Sequence, residues 1–301
     1  MSLLVTGSIG YDTLETPHGR VADVIGGSAV YFALAAAHYS PVRVVATVGD
    51  DFDFDLLEPL RDKPIDLGGI EVRAGSRTFR WHGKYVGAMN EAETVAVQLN
   101  VLAERGAAIP PALADSRFVF LANTHPTLQR EFADQLPRAE LVVCDTMNLW
   151  IEHEPAELRK TLARVHGLVL NEGEARLLTD KTNLVSAGRD ILKLGPRFVI
   201  IKKGEYGSLL VTPDELAGIP AYPTEQVIDP TGCGDSFAGA LMGYLATQAW
   251  VDGRALRAAM ARGSVVGSFV LESFSIAAAA RTTAADVEAR LAELKALAQF
   301  D

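Results

Sequence analysis

The stretch DPTGCGDSFAGAL, residues 229–241, sets two acids and two glycines directly ahead of an apolar run. Phe237, Ala240, Leu241, Tyr244 and Leu245 recur at helical spacing, which predicts a helix opening near Asp235. Gly232, Cys233 and Gly234 then fall in its first turn, where main-chain N–H groups lack intrahelical partners and the helix dipole is positive. Such a turn binds anions. Asp235 reads in two ways. As an acid at a helix start it is a cap or a complement to the dipole. Beside an anion hole it is what a phosphoryl-transfer base must be, a carboxylate that takes the proton of an attacking hydroxyl while amides receive the phosphoryl oxygens.

Outward from this stretch, short apolar runs at 3–7, 43–48, 118–122, 141–145, 168–170, 198–202 and 208–211 alternate with amphipathic segments. Those segments lie at 28–39, 155–165, 172–179 and 186–194, and two longer helical patterns close the chain at 252–271 and 284–299. This alternation predicts an α/β fold with a mostly parallel sheet covered on both faces, and ligands beyond the carboxyl ends of its strands. The rhythm breaks at 68–97, GGIEVRAGSRTFRWHGKYVGAMNEAETVAV, where short alternating runs and Gly turns predict a small antiparallel sheet outside the main layer. It is either a lid or a surface hairpin.

Bulk properties narrow the classes. The 301 residues allow one large domain or about two smaller ones. Nearly half are apolar, ample for a core, yet no apolar stretch is long enough to span a bilayer. A net charge of −10 argues against a nucleic-acid scaffold, which needs clustered Lys and Arg. The first ten residues, MSLLVTGSIG, lack the charge and length of a secretory signal and read as a buried strand. The two cysteines, Cys144 and Cys233, show no metal-type spacing, so the expected setting is a reducing cytoplasm without membrane or nucleic-acid partners.

Other motifs carry paired readings. Cys233 at a helix start has the position of an activated thiol, but the six histidines are scattered and a small side chain beside working backbone is the better reading. NEGE at 171–174 is a capping-box pattern, and Glu174 is also a carboxylate able to order Mg2+ through water near a nucleotide. In VIIKKGEYGSLLV, Gly204 and Gly207 either let backbone approach a ligand or turn the chain, and Lys202 and Lys203 either meet phosphates or stay solvated. Asp12, after the first strand, suits two vicinal sugar hydroxyls or a turn, and Gly26 and Gly27 open either a close backbone approach or a loop.

In their order along nearly the whole chain, these pieces resemble the ribokinase family of carbohydrate kinases, the PfkB type, with D-x-T-G-x-G-D-x-F as the strongest element. The resemblance implies one three-layer domain over 1–301 with a small β lid, approximately 11–24 and 68–98, over the acceptor. It implies Asp235 as base, with Gly232, Cys233 and Gly234 as anion hole. Asn171 and Glu174 would serve ATP phosphates and Mg2+, and Lys202, Gly204, Gly207 and Thr231 would border the nucleotide. Asp229 matches a position that holds a monovalent cation such as K+ in some members, with residues 273–275 as its second half. Asp12, Gly26, Gly27, Tyr31 and Asn123 would face the acceptor. Tyr31 stands where many sugar kinases of the family have Asn, so hydroxyl discrimination differs here. Arg80, Trp81 and Lys84 in the lid suggest a bulkier or partly anionic acceptor, or a nucleoside whose base stacks on an aromatic ring. NTHP at 123–126 and DTMN at 145–148 follow strand ends and either line the cleft or form plain loops.

The expectation is therefore an ATP-dependent kinase of a sugar-like alcohol. The alternatives are a nucleoside kinase, a non-catalytic nucleotide- or sugar-binding relative, and a dinucleotide-dependent dehydrogenase, the last weakened because GSIGYD lacks the third glycine of that fingerprint. Lids of this type often pair between subunits in the family, which implies a homodimer.

Overall fold

The computed structural model describes residues 2–299. Among the described residues, thirteen strands fall into two sheets. In chain order they are β1 Leu3–Thr6, β2 Gly10–Thr16, β3 Gly19–Gly26, β4 Val42–Gly49, β5 Ile65–Arg73, β6 Phe79–Tyr85, β7 Ala92–Gln98, β8 Phe118–Leu121, β9 Leu141–Cys144, β10 Gly167–Asn171, β11 Phe198–Lys202, β12 Ser208–Val211 and β13 Leu216–Ile219. The nine-stranded sheet runs β13-β12-β11-β10-β9-β8-β1-β4-β5. It is parallel from β5 to β11 and antiparallel only at the β12 and β13 edge.

The inner strands are buried on both faces, which is why LLVT, FVFL and LVVC read as unbroken apolar runs rather than alternation. Leu3 and Val5 enter one core with Phe32, Phe237, Leu241 and Met260, while Leu4 enters the opposite core with Phe132, Leu158 and Ile191. The helices Ser28–Ala36, Cys233–Leu245 and Gly253–Val270 thus cover one face, and Pro126–Asp134, Pro155–Leu162 and Leu184–Leu192 the other. The sheet order reverses at β1, where the chain first builds toward β5 and then returns to add β8 on the other side. That is the switch point at which ligands collect.

Two helices start at this edge and lie side by side. A β-carbon on Gly239 would stand 2.2 Å from the Phe32 carbonyl oxygen, and one on Gly243 2.7 Å from that of Ala36. Only glycine lets the backbones of Ser28–Ala36 and Cys233–Leu245 come so near.

The second sheet, β3-β2-β6-β7, stands over the carboxyl edge, with β2 and β6 paired in parallel. The structure divides the segment 68–97 differently from the pattern reading. Residues up to Arg73 belong to β5, the parallel edge of the main sheet, and only β6 and β7 join β2 and β3 above it. The aligned Gly68–Gly69 pair suggested a turn, whereas a β-carbon on Gly69 would meet the Val44 carbonyl oxygen at 2.5 Å, so that glycine serves close strand packing. Helix ends fall within three residues of the periodic reading, and the helix Pro126–Asp134 and strand β13 add to it. Both are weak signals, a polar helix and an LAGI edge strand.

Candidate active site

The helix of the glycine stretch begins at Cys233, two residues ahead of the expected Asp235. Its N-cap, Gly232, adopts φ +77°, and a β-carbon there would lie 2.3 Å from the Tyr31 ring. The Cys233 amide donates to the Pro230 carbonyl at 3.1 Å, so it is not a free member of the hole. The amides of Gly232, Gly234 and Asp235 donate to no other described residue. Of the three amides expected to receive an anion, Gly232 and Gly234 are free and Cys233 is not, while Asp235 adds a free amide beside its carboxylate. Cys233 is no activated thiol: burial pushes it up to about 11, and its Sγ lies 3.4 Å from the Gly267 carbonyl.

Four charged side chains meet at this turn. Asp235 is pushed up to about 7 by burial and by Asp145, with Lys202 opposing. Glu174 is pushed up to about 7 by burial and then Asp145, again against Lys202. Burial alone would lower Lys202, but the carboxylates of Asp145, Glu174 and Asp235 hold it above the usual lysine range. Lys202 Nζ lies 4.0 Å from Asp145 Oδ2. Three of them come from the ends of neighbouring strands: Asp145 follows β9, Glu174 lies just past Asn171 at the end of β10, and Lys202 ends β11. The sequence left Asp145 open between lining the cleft and a plain loop, because an acid after an apolar run carries no signal of what its neighbours two strands away will be.

The capping box forms as its pattern implied. Glu174 N–H donates to Asn171 Oδ1 at 2.8 Å, and Asn171 N–H to Glu174 Oε2 at 2.7 Å. This leaves one carboxylate oxygen of Glu174 without an amide. Gly204 and Gly207, at φ +54° and +84°, turn the chain between β11 and β12, and a β-carbon on Gly207 would strike the Ile219 carbonyl oxygen at 2.1 Å.

On the other side of the cleft, Asp12 is buried on β2, and a β-carbon on Gly26 would lie 1.9 Å from its Oδ2. Burial, then Asp229 and Asp235, push Asp12 up to about 8. Gly27, at φ +104°, opens the Ser28–Ala36 helix against the Ser8 carbonyl. Trp81 is the β6 partner of Asp12, so both point from the same face of the second sheet. Tyr85, four residues on, shares that face, and its hydroxyl accepts from Thr231 Oγ1 at 3.3 Å. The turn after it reaches the Gly204–Gly207 turn, where Asn90 Nδ2 donates to Glu205 Oε1 at 3.3 Å.

Four residues expected toward the acceptor are placed otherwise. Tyr31 is 1% exposed and its hydroxyl has no partner among the described residues, so the ring forms the floor beneath Gly232. Asn123 binds protein, accepting from Trp150 Nε1 at 2.9 Å and donating to Met147 Sδ at 3.0 Å. Arg80 lies on the opposite face of β6, paired with Asp23 at 2.5 Å and stacked over Tyr11. Lys84 is exposed. Asp229 is fully enclosed, its two oxygens accepting amides from Thr231 at 2.9 Å and Ser275 at 3.1 Å. A separate cavity of about 40 Å³ between Thr6, Thr47, Arg105 and Phe132 has room for water rather than a substrate.

A parallel sheet with a second sheet over its switch point, and a carboxylate beside unpaired amides, defines a small-molecule phosphotransferase with an alcohol acceptor. The chain belongs to the PfkB family of carbohydrate kinases, whose family model matches residues 4–283. It is 29% identical over 251 residues to a cytidine kinase of Thermococcus kodakarensis, covering 81% of this chain and 88% of that one. An aminoimidazole riboside kinase of Salmonella enterica, solved with aminoimidazole riboside and an ATP analogue, superposes with a TM-score of 0.79 at 17% identity, over 97% of this chain and 100% of the other. A ribokinase II from E. coli in complex with ATP and Mg2+ gives 0.78 at 17% identity, over 97% and 99%.

Proposed function

We propose that the chain transfers the γ-phosphoryl group of ATP to a primary hydroxyl of a nucleoside or related riboside. The observation that carries the transfer is the Asp235 carboxyl, held near 7 beside the free amides of Gly234 and Asp235. A carboxylate of that strength is half-ionised near neutral pH, strong enough to accept a hydroxyl proton and weakly solvated enough to act as a base. Asp12, beside the diglycine, orients acceptor hydroxyls, and Gly204 and Gly207 border the nucleotide.

Mg2+ fits the residues present. Glu174 keeps one oxygen free of amides, and among the described residues no three His, Cys, Asp or Glu side chains form a closed cage. Mg2+ characteristically keeps water and phosphate ligands in such half-built sites. Glu174 would hold it through water, where it would neutralise phosphate charge. Asp229 accepts one amide on each oxygen, tying the 229–231 and 273–275 loops, and each oxygen keeps a further lone pair; K+ dependence is tested by activity with and without that ion.

The riboside preference over a free sugar is supported by an aromatic residue, Trp81, in register with Asp12 on the same face of the second sheet, and by the absence of an amide side chain at Tyr31. The similarity to a cytidine kinase and to a riboside kinase points the same way. β7 is exposed along its length, including Val95 and Val97, which supports a homodimer through the second sheet, and two free cysteines suit the cytoplasm. The test is an ATP-consumption screen over ribonucleosides and free pentoses and hexoses. Turnover on ribonucleosides supports the proposal. Turnover on free sugars alone overturns the riboside assignment, and no turnover on any alcohol overturns the transfer.

A further inference from the structure

We propose that Lys202 is a catalytic residue of this transfer, its ammonium receiving the oxygens of the moving phosphoryl group alongside the amides of Gly234 and Asp235. The inference rests on the kinase reading above and adds to it a side-chain cation at a place where the sequence motif supplies only backbone.

The geometry is specific. Lys202 ends β11, so its side chain rises at the carboxyl edge, and it is 19% exposed. A β-carbon on Gly234 would stand 2.8 Å from Nζ. The ammonium is therefore packed against the very glycine whose amide is unpaired, and any side chain at 234 would displace it. Its nearest anionic atom, Asp145 Oδ2, is 4.0 Å away, beyond hydrogen-bond reach, and no described residue accepts a hydrogen bond from Nζ. An ammonium carries three donors. Holding a mostly buried ammonium without protein acceptors is costly, and a structural ion pair with Asp145 would close that gap. A ligand with several anionic oxygens satisfies all three donors at once. The surrounding carboxylates of Asp145, Glu174 and Asp235 keep the lysine charged, so it acts as a fixed cation and not as an acid.

In the step itself, the acceptor oxygen forms a bond to the γ-phosphorus as its proton passes to Asp235. The bond from that phosphorus to the β–γ bridging oxygen breaks, and its electron pair leaves with ADP. Lys202 exchanges no proton. It counters negative charge on the oxygens of the group in flight, where electrostatic stabilisation has most effect.

The experiment compares wild type with Lys202→Met and Lys202→Arg in the full chain, using the best acceptor from the nucleoside screen. For Lys202→Met, kcat is expected to fall about 10²–10³-fold, the cost of one transition-state donor. Acceptor KM and ADP affinity should each stay within about threefold, while affinity for ADP with aluminium fluoride and acceptor falls in parallel with kcat. Lys202→Arg should recover part of both losses. The proposal is overturned if folded Lys202→Met keeps kcat within about threefold, or if ADP binding falls as much as the aluminium fluoride complex does. If Lys202→Met does not fold, the double variant Asp145→Asn/Lys202→Met removes the unpaired acid and carries the same readouts. A wild type active on an acceptor with an equally active variant rejects Lys202 alone, whereas a wild type inactive on every alcohol rejects the kinase reading and this inference with it.

Discussion

The Tyr31 ring occupies the position a Gly232 side chain would need: a β-carbon on Gly232 would stand 2.3 Å from Cγ and Cδ1. The Ser28–Ala36 helix thus props the turn that opens the Cys233–Leu245 helix, and at φ +77° the turn favours glycine on backbone grounds as well. Gly232→Ala meets both obstacles. It is expected to lower stability by about 1–3 kcal/mol and to cut kcat more than it changes nucleotide affinity. Urea unfolding with steady-state kinetics checks this, and a variant with wild-type midpoint and kcat would show that the turn tolerates a side chain.

Tyr31→Phe removes a buried hydroxyl with no partner among the described residues. Leaving such a group unsatisfied costs about 1–3 kcal/mol, so the variant should be as stable as wild type or more so. Acceptor KM should stay within about threefold, as the ring and not the oxygen is what Gly232 leans on. A large rise in KM would place the hydroxyl on the acceptor instead.

Asp235→Asn should lower kcat by about 10²–10⁴-fold while far-UV circular dichroism stays unchanged. It should also alter stability against pH. Burial, then Asp145, hold the folded-state Asp235 carboxyl near 7, above its unfolded value of 3.8. Between those two pH values the native state binds more protons than the unfolded state, so this residue makes stability fall as pH rises. The Asn variant should lose that slope and, at pH 8, melt no lower than wild type. A clearly lower melting temperature at pH 8 would contradict the buried, strained carboxylate.

The same shift places an acid limb in the rate. With the base near 7, kcat should rise with pH and level off above about 7, falling toward tenfold per unit on the acid side. A profile flat from pH 5 to 8 would remove Asp235 from the proton transfer.

Asp12 predicts a different pattern. Burial first, then Asp229 and Asp235, push it up to about 8, so at neutral pH it carries a proton and both donates and accepts. An amide copies that pattern. Asp12→Ala should raise acceptor KM about 10²-fold or more, and Asp12→Asn markedly less. Equal losses in the two variants would mean that the acceptor needs the charge.

The fold was legible wherever local pattern and global position agree. Continuous apolar runs such as LLVT and FVFL mark strands covered on both faces, and the glycine stretch marks a helix start. What local pattern hides is pairing across distance. Nothing in GGIEVR separates an edge strand beside β4 from part of the second sheet, since both alternate. The site shows the same division. Asp235, Asp12, Asn171 and Glu174 stand in recognisable local motifs, and the structure brings them to one edge. Asp145 and the full role of Lys202 were obscure because their meaning depends on β9, β10 and β11 lying in that order. Asn123 and Arg80 looked available for a ligand only because a sequence does not show Trp150 and Asp23 already holding them.

The glycine contacts at 239 and 243 do more than let two helices touch. One helix carries the diglycine beside Asp12 at its front, the other carries Asp235 and the open amides, so the seam between them acts as a calliper set to the gap between the two reactants. A single added methyl at Gly239, deep in the protein and far from either reactant, would widen the jaws and leave every reacting group intact but out of reach.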